Sequence, residues 1–173
     1  MSPLGWVHTT FAVLAMLSGA VVLVRRKGTR AHRRLGWVYA ASMFALNTTA
    51  LLIYRLFGGF GPFHVAAIFS LATVAAGVVV AIRRSDRGWV ERHYRFMTYS
   101  YVGLLAAAVS EVAVRVPGAV FWWAVLIASA LVLIVGMLLV ERKRATVLAP
   151  FARIPTAKAG PRASERARSY ECS

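Results

Sequence analysis

Five apolar runs, each about twenty residues long and set apart by short basic or Gly/Pro-rich breaks, dominate the 173-residue chain. A helix crosses a hydrocarbon layer of roughly 30 Å with ~20 such residues. Inside that layer every backbone N–H and C=O must find a partner within the chain, so a run of this kind is read as a helix. The expected spans are 4–24, 35–57, 63–82, 96–114 and 119–140. Gly58-Gly59-Phe60-Gly61-Pro62 separates the second from the third, and Pro117-Gly118 the fourth from the fifth. The first run ends in Arg25-Arg26-Lys27 and has no basic stretch before it, unlike a cleaved signal peptide.

The charges are segregated. The net charge is +15, which in a soluble chain would suggest nucleic acid. Here the Lys and Arg fall between the apolar runs: six at 25–34, five at 83–95 and eight from 141 onward, against only Arg55 and Arg115 on the opposite side. Cytoplasmic loops collect such residues, so the N-terminus is expected outside and the C-terminus inside a plasma (inner) membrane crossed several times, with no nucleic-acid partner. The five Trp all lie near run ends, where amphipathic rings favour the interface. The transmembrane domain is read as residues 1–144. Residues 145–173, rich in Ala, Arg, Pro and Ser, are read as a disordered or lipid-bound basic tail. Cys172 is the single cysteine, which leaves no disulfide and no Cys-based metal site within one chain.

The chain repeats internally. Gly19-Ala20-Val21-Val22-Leu23-Val24-Arg25-Arg26 parallels Gly77-Val78-Val79-Val80-Ala81-Ile82-Arg83-Arg84. Gly5-Trp6-Val7-His8 parallels Gly61-Pro62-Phe63-His64, and His32-Arg33-Arg34-Leu35 parallels His93-Tyr94-Arg95-Phe96. Two helical hairpins, 1–57 and 61–115, therefore repeat, and each has an even number of spans, so both insert the same way. The fold class expected is an all-α membrane protein: a pseudo-two-fold four-helix bundle plus a fifth C-terminal helix. Gly19 and Gly77 would let helices approach closely.

All four histidines belong to this repeat. His8 and His64 would face each other near the outer surface, and His32 and His93 near the inner one. Paired neutral imidazoles inside a helical bundle suit a planar metal macrocycle, which takes one axial ligand from each side. The reading is transmembrane electron transfer through two bis-histidine b-type haems, one near each face. If the protein is an enzyme, it is a membrane oxidoreductase. Arg55 and Arg115 outside, and Arg33, Arg34, Arg92 and Arg95 inside, would hold haem propionates. Tyr39, Tyr99 and Tyr101 would line a quinone pocket, with quinone or a redox protein as partner.

Other readings stand beside this one. Shared descent of the hairpins places the histidines in register without any ligand, as in a cofactor-free membrane subunit, scaffold or small transporter. Glu111 is the one acid within a span; with His8 and His64 it would make an outer zinc site, and with Arg115 a simple i, i+4 ion pair. Asn47, Thr48, Thr49, Ser100 and Ser110 would hydrogen-bond between helices. No nucleophile elbow, phosphate-binding loop, His-Glu-x-x-His or dinucleotide fingerprint occurs.

The stretches Lys27–Tyr39, Phe60-Gly61-Pro62-Phe63-His64 and Arg92-His93-Tyr94-Arg95-Phe96-Met97 resemble the uncharacterised bacterial membrane-protein family numbered 2306 among the domains of unknown function. The resemblance covers the first four helices and implies no established activity. The order of the histidines is similar to that of cytochrome b561-type proteins. That likeness implies pairing of first helix with third and second with fourth: His8 with His64, His32 with His93, around two b haems.

Overall fold

A computed structural model describes residues 2–54, 58–118 and 120–152. Among these the chain forms five α-helices and no strand: α1 Pro3–Val24, α2 Arg30–Leu51, α3 Pro62–Arg83, α4 Trp89–Ala113 and α5 Phe121–Ala152. The starts follow from local chemistry. Ser2 and Thr29 each cap a helix through a side-chain oxygen, accepting from Gly5 N and His32 N, and Pro3 and Pro62 occupy first-turn positions where no N–H is needed. Gly28 and Gly118 stand in the breaks with φ of 81° and 80°, a conformation that side-chain-bearing residues rarely adopt.

Four of the helices, α1, α3, α4 and α5, are long and apolar enough to cross a membrane. The second is as long, but Arg30, Arg33 and Arg34 at its start and Asn47, Thr48 and Thr49 near its end lower its hydropathy. Several boundaries differ from the sequence reading; the second helix runs Arg30–Leu51 where 35–57 was expected. The fourth helix begins at Trp89 rather than 96, so His93 lies in its second turn. Gly88 caps it, its own N–H donating to Asp86 Oδ1, and the charged residues that follow are competent helix formers. The fifth helix continues to Ala152, through the first residues assigned to a tail. Its added turns carry Glu141, Arg142, Lys143, Arg144, Ala145 and Leu148, good helix formers, and these outweigh Thr146, Val147 and the late Pro150.

Helix α1 packs on α2, α2 on α3, α3 on α4, and α4 returns to α1; α5 packs mainly on α4, with its Phe121 ring also edge-on to Phe63 of α3. The first four helices thus form a ring in which α1 lies diagonally opposite α3, and α2 opposite α4. Its core is Ala15, Tyr39, Ala40, Met43, Leu46, Val74 and Leu104. Small residues allow the tightest approaches. A Cβ on Gly19 would lie 2.5 Å from the Tyr101 ring and 3.0 Å from the Tyr39 ring. A Cβ on Gly136 would collide with the Val102 side chain, which is how α5 seats on α4.

Overpacking a closed interface costs about 1–3 kcal/mol. Gly19→Ala and Gly136→Ala are therefore expected to lower the unfolding midpoint in detergent. Gly103→Ala, where nothing lies within 4 Å of the added carbon, leaves it unchanged or raises it. Thermal unfolding followed by circular dichroism distinguishes these outcomes.

Candidate functional site

At the basic end of the ring the helices part around a cavity of about 670 Å³. Its far wall carries Tyr39 and Tyr101, whose rings lie 6.2 Å apart. The Tyr39 hydroxyl pairs with Ser100 Oγ at 2.8 Å, and the Tyr101 hydroxyl donates to the Met16 carbonyl at 3.2 Å. Both phenols are thereby satisfied and held rigid. Val147, Leu148 and Phe151, from the extra turns of α5, close part of the same cavity with apolar surface. That contact gives the extension a packing role, and it explains why the helix does not stop where the span does.

His32 and His93 both line this cavity, from the diagonally opposed α2 and α4. The His93 Nδ1–H donates to the Gly77 carbonyl of α3 at 2.9 Å. That partner accepts only, so it selects the tautomer whose Nε2 keeps a lone pair. His32 Nδ1 is buried and has no hydrogen-bond partner.

Cations gather at the basic end of the cavity. Arg33 lines it, as do Lys27 and Arg84, two residues absent from the sequence-based set. The Lys27 ammonium donates to the carbonyls of Val22 at 2.8 Å and Leu23 at 2.7 Å, closing the C-terminus of α1, and burial lowers its pKa. Arg84 takes a left-handed conformation at the end of α3 and lays its guanidinium 5.0 Å from the Trp89 ring centre. The sequence signal for these two was present: Arg84 closes the second copy of the repeated Gly-to-Arg-Arg stretch and Lys27 directly follows the first, where the helices end.

The remaining arginines point elsewhere. Arg95 bridges Glu91 and Glu141, both at 3.6 Å, in a network with Arg144 that ties α4 to α5. Tyr99 donates to Glu141 in that network rather than facing the cavity. Arg92 pairs with Asp86 at 2.6 Å. Arg34 is exposed and does not line the cavity, and Arg55 lies outside the described residues.

At the far end the arrangement differs. His8 Nδ1 lies 3.0 Å from Thr49 Oγ1, whose own proton goes to the Ala45 or Leu46 carbonyl. The imidazole is therefore the donor, and its Nε2 keeps the lone pair. His64 is reversed: its Nδ1 accepts the Gly61 N–H at 3.1 Å in a capping box that starts α3. The neutral ring then carries its proton on Nε2, which is buried without a partner in a residue only 3% exposed. Tyr54 and Phe60 flank the ring at 4.8 and 5.1 Å. Glu111 pairs with Arg115 at 2.8 Å beside a smaller cavity of about 210 Å³ that neither histidine lines. Among the described residues no three His, Cys, Asp or Glu side chains converge as a metal site, so His8, His64 and Glu111 are not brought together as one.

The chain belongs to the DUF2306 family of predicted membrane proteins. The family description matches residues 5–143, which takes in all four histidines, the whole ring and most of α5. Neither a curated protein nor a solved structure matches the chain.

The buried phenols give a direct test of how the cavity wall is held. In Tyr39→Phe the Ser100 hydroxyl retains its bond to the Met97 carbonyl at 2.8 Å, so no partner is stranded. The expected loss is that of one hydrogen bond, about 0.5–1.5 kcal/mol. Ser100→Val strands the Tyr39 hydroxyl and is expected to cost more; chemical unfolding of the two variants in one detergent compares them.

Proposed function

We propose that this is a membrane electron-transfer protein that holds a b-type haem at its basic end between His32 and His93. The observation carrying the reading is that these two residues, from diagonally opposed helices of the ring, line one cavity whose volume lies within the range of ligand pockets. Two further features fit the group. His93 is oriented by a backbone carbonyl, as metal-ligating histidines commonly are. Lys27, Arg33 and Arg84 offer donors for the two carboxylates of such a group, and none of them has a carboxylate partner among the described residues.

Haem, when bound, supplies a one-electron iron couple. The chain does the rest. His32 and His93 would hold the iron, Gly77 would fix the ring of His93, the tyrosine wall would bound the site toward the membrane middle, and Leu148 and Phe151 would cover part of one side with apolar surface. The far-end pair does not fit a second haem in the same way. His64 presents an N–H at Nε2 where an axial ligand needs a lone pair, because its Nδ1 is committed to capping α3.

The same reading takes the ring as two hairpins related by a pseudo-two-fold axis, with α2 a fifth span. Its support is the ring order, which places equivalent helices opposite one another, and the equivalence of Gly19 and Gly77 as points of close approach. The basic end is the cytoplasmic one, since nineteen of the 21 Lys and Arg lie on that side in sequence. The electron donor is a cytoplasmic reductant or a membrane quinol.

Two measurements test the proposal. The visible spectrum of detergent-purified protein is expected to show a six-coordinate b-type haem at about one per chain. Its near-complete loss is expected in His93→Ala. A colourless protein after haem supplementation would sink the idea and leave the cavity to an anionic amphiphile in a cofactor-free subunit or transporter. Two haems per chain would return His8 and His64 to the ligand set. Orientation is read from the single thiol: Cys172 should react with a membrane-impermeant maleimide only after cells are permeabilised, and labelling of intact cells would reverse the topology.

A further inference from the structure

The repeat makes His32 and His93 equivalent in sequence, yet their surroundings are not equivalent. His93 stands in the second turn of α4, and a carbonyl of another helix, Gly77 of α3, holds its Nδ1–H at 2.9 Å. The residue matching Gly77 in the first hairpin is Gly19. There the Tyr101 and Tyr39 rings crowd the glycine, where Gly77 instead meets Met97 and Phe96. His32 makes no bond to the Gly19 carbonyl: its Nδ1 is buried without any partner. Only its backbone is tethered, through the bond from His32 N to Thr29 Oγ1 at 3.1 Å, in the first turn of α2. Just before that cap lies Gly28, with φ of 81° and only the Phe151 ring within 4 Å of where its Cβ would be.

We infer that the two ligands of the cavity are unequal: His93 is the permanent axial ligand and His32 the exchangeable one, so the site takes a small neutral diatomic molecule on the α2 side. This rests on the haem reading above. A second-shell acceptor fixes the ring and raises the basicity of the ligating nitrogen, and losing such a partner commonly weakens metal binding about 10–100-fold. His93 has that support and His32 lacks it. Swinging the His32 ring away also frees its unpartnered nitrogen to reach water at the open, basic end of the cavity, which removes a desolvation cost. The exchange balances simply. The iron–nitrogen bond to His32 breaks and the neutral imidazole leaves with its lone pair. A lone pair of the incoming molecule forms the new bond, with no change in oxidation state and no proton moved.

Carbon monoxide is the probe. The full-length protein and its His32→Ala, His93→Ala, His32→Leu and His93→Leu variants are purified with haem supplied, and folding is checked by helical circular dichroism and gel filtration. The Leu variants keep an apolar, non-ligating side chain in place should either Ala variant fail to fold. The expected result has three parts. The His93 variants retain at least tenfold less haem than the His32 variants. The reduced wild-type protein binds carbon monoxide, with the shift of the Soret band that marks it. His32→Ala binds it at least tenfold faster than wild type. Equal haem loss from both sides, or a haem-loaded wild type that stays unchanged under saturating carbon monoxide, overturns the inference while leaving the haem reading intact. A wild type that takes up no haem overturns both, and is distinguished by the absence of any spectrum to compare.

Discussion

The contact between α4 and α1 closes the ring, and the cavity depends on that closure. It is made where Gly19 gives up a side chain so that the Tyr101 ring can lie against the α1 backbone, with the Tyr101 hydroxyl anchored on the Met16 carbonyl. In a hydrocarbon environment there is little hydrophobic drive to bring helices together. Close backbone approach and interhelical hydrogen bonds therefore carry much of the association. The same two residues, with Tyr39, then form the wall that ends the cavity toward the membrane middle. Helix closure and the bounding of the site are one set of contacts.

Charge is divided in a way that separates structure from binding. The described carboxylates are all used up: Asp86 on Arg92, Glu91 and Glu141 on Arg95 and Arg144, Glu111 on Arg115. Two of these acids, Glu91 and Glu141, staple the basic ends of α4 and α5. Exposed ion pairs contribute little singly, on the order of 0–1 kcal/mol, so the network acts more on which face α5 presents than on stability. Lys27, Arg33 and Arg84 share none of these acids, and they surround the cavity. Their positive charge is compensated in other ways, Lys27 by the carbonyl end of α1 and Arg84 by the Trp89 ring.

Much of this was legible in the residues. The helix count, the glycine and proline breaks and the glycines of close approach all followed from period, composition and repeat. The errors share a cause. Arg95, Arg115 and Tyr99 have residue types suited to a site, but each has a carboxylate one helical turn away or on a neighbouring helix, and it turns toward that carboxylate. His64 was paired with His8 by symmetry. Its neighbour Gly61 offers an unsatisfied N–H at the start of a helix, and that local demand claims the ring nitrogen. Lys27 and Arg84 entered the sequence reading only among the loop cations that set orientation, although they stand where the repeated stretch ends.

Taken alone, the sequence determined that this chain is helical, rich in membrane-length apolar segments, basic at one end and internally duplicated. Those properties are additive along the chain: a run of about twenty apolar residues can satisfy its backbone in lipid only as a helix, whatever surrounds it. Tertiary structure decided which of the equivalent residues became equivalent in space. Gly19 and Gly77, or His32 and His93, have similar local sequences, yet one member of each pair meets tyrosine rings or no partner, and the other meets methionine or a carbonyl. The fifth helix has no counterpart in the repeat; it packs mainly on α4 and lays its last turns over one side of the cavity. A duplicated sequence therefore folded into a ring whose basic end holds an asymmetrically lined cavity, because packing depends on every neighbour at once.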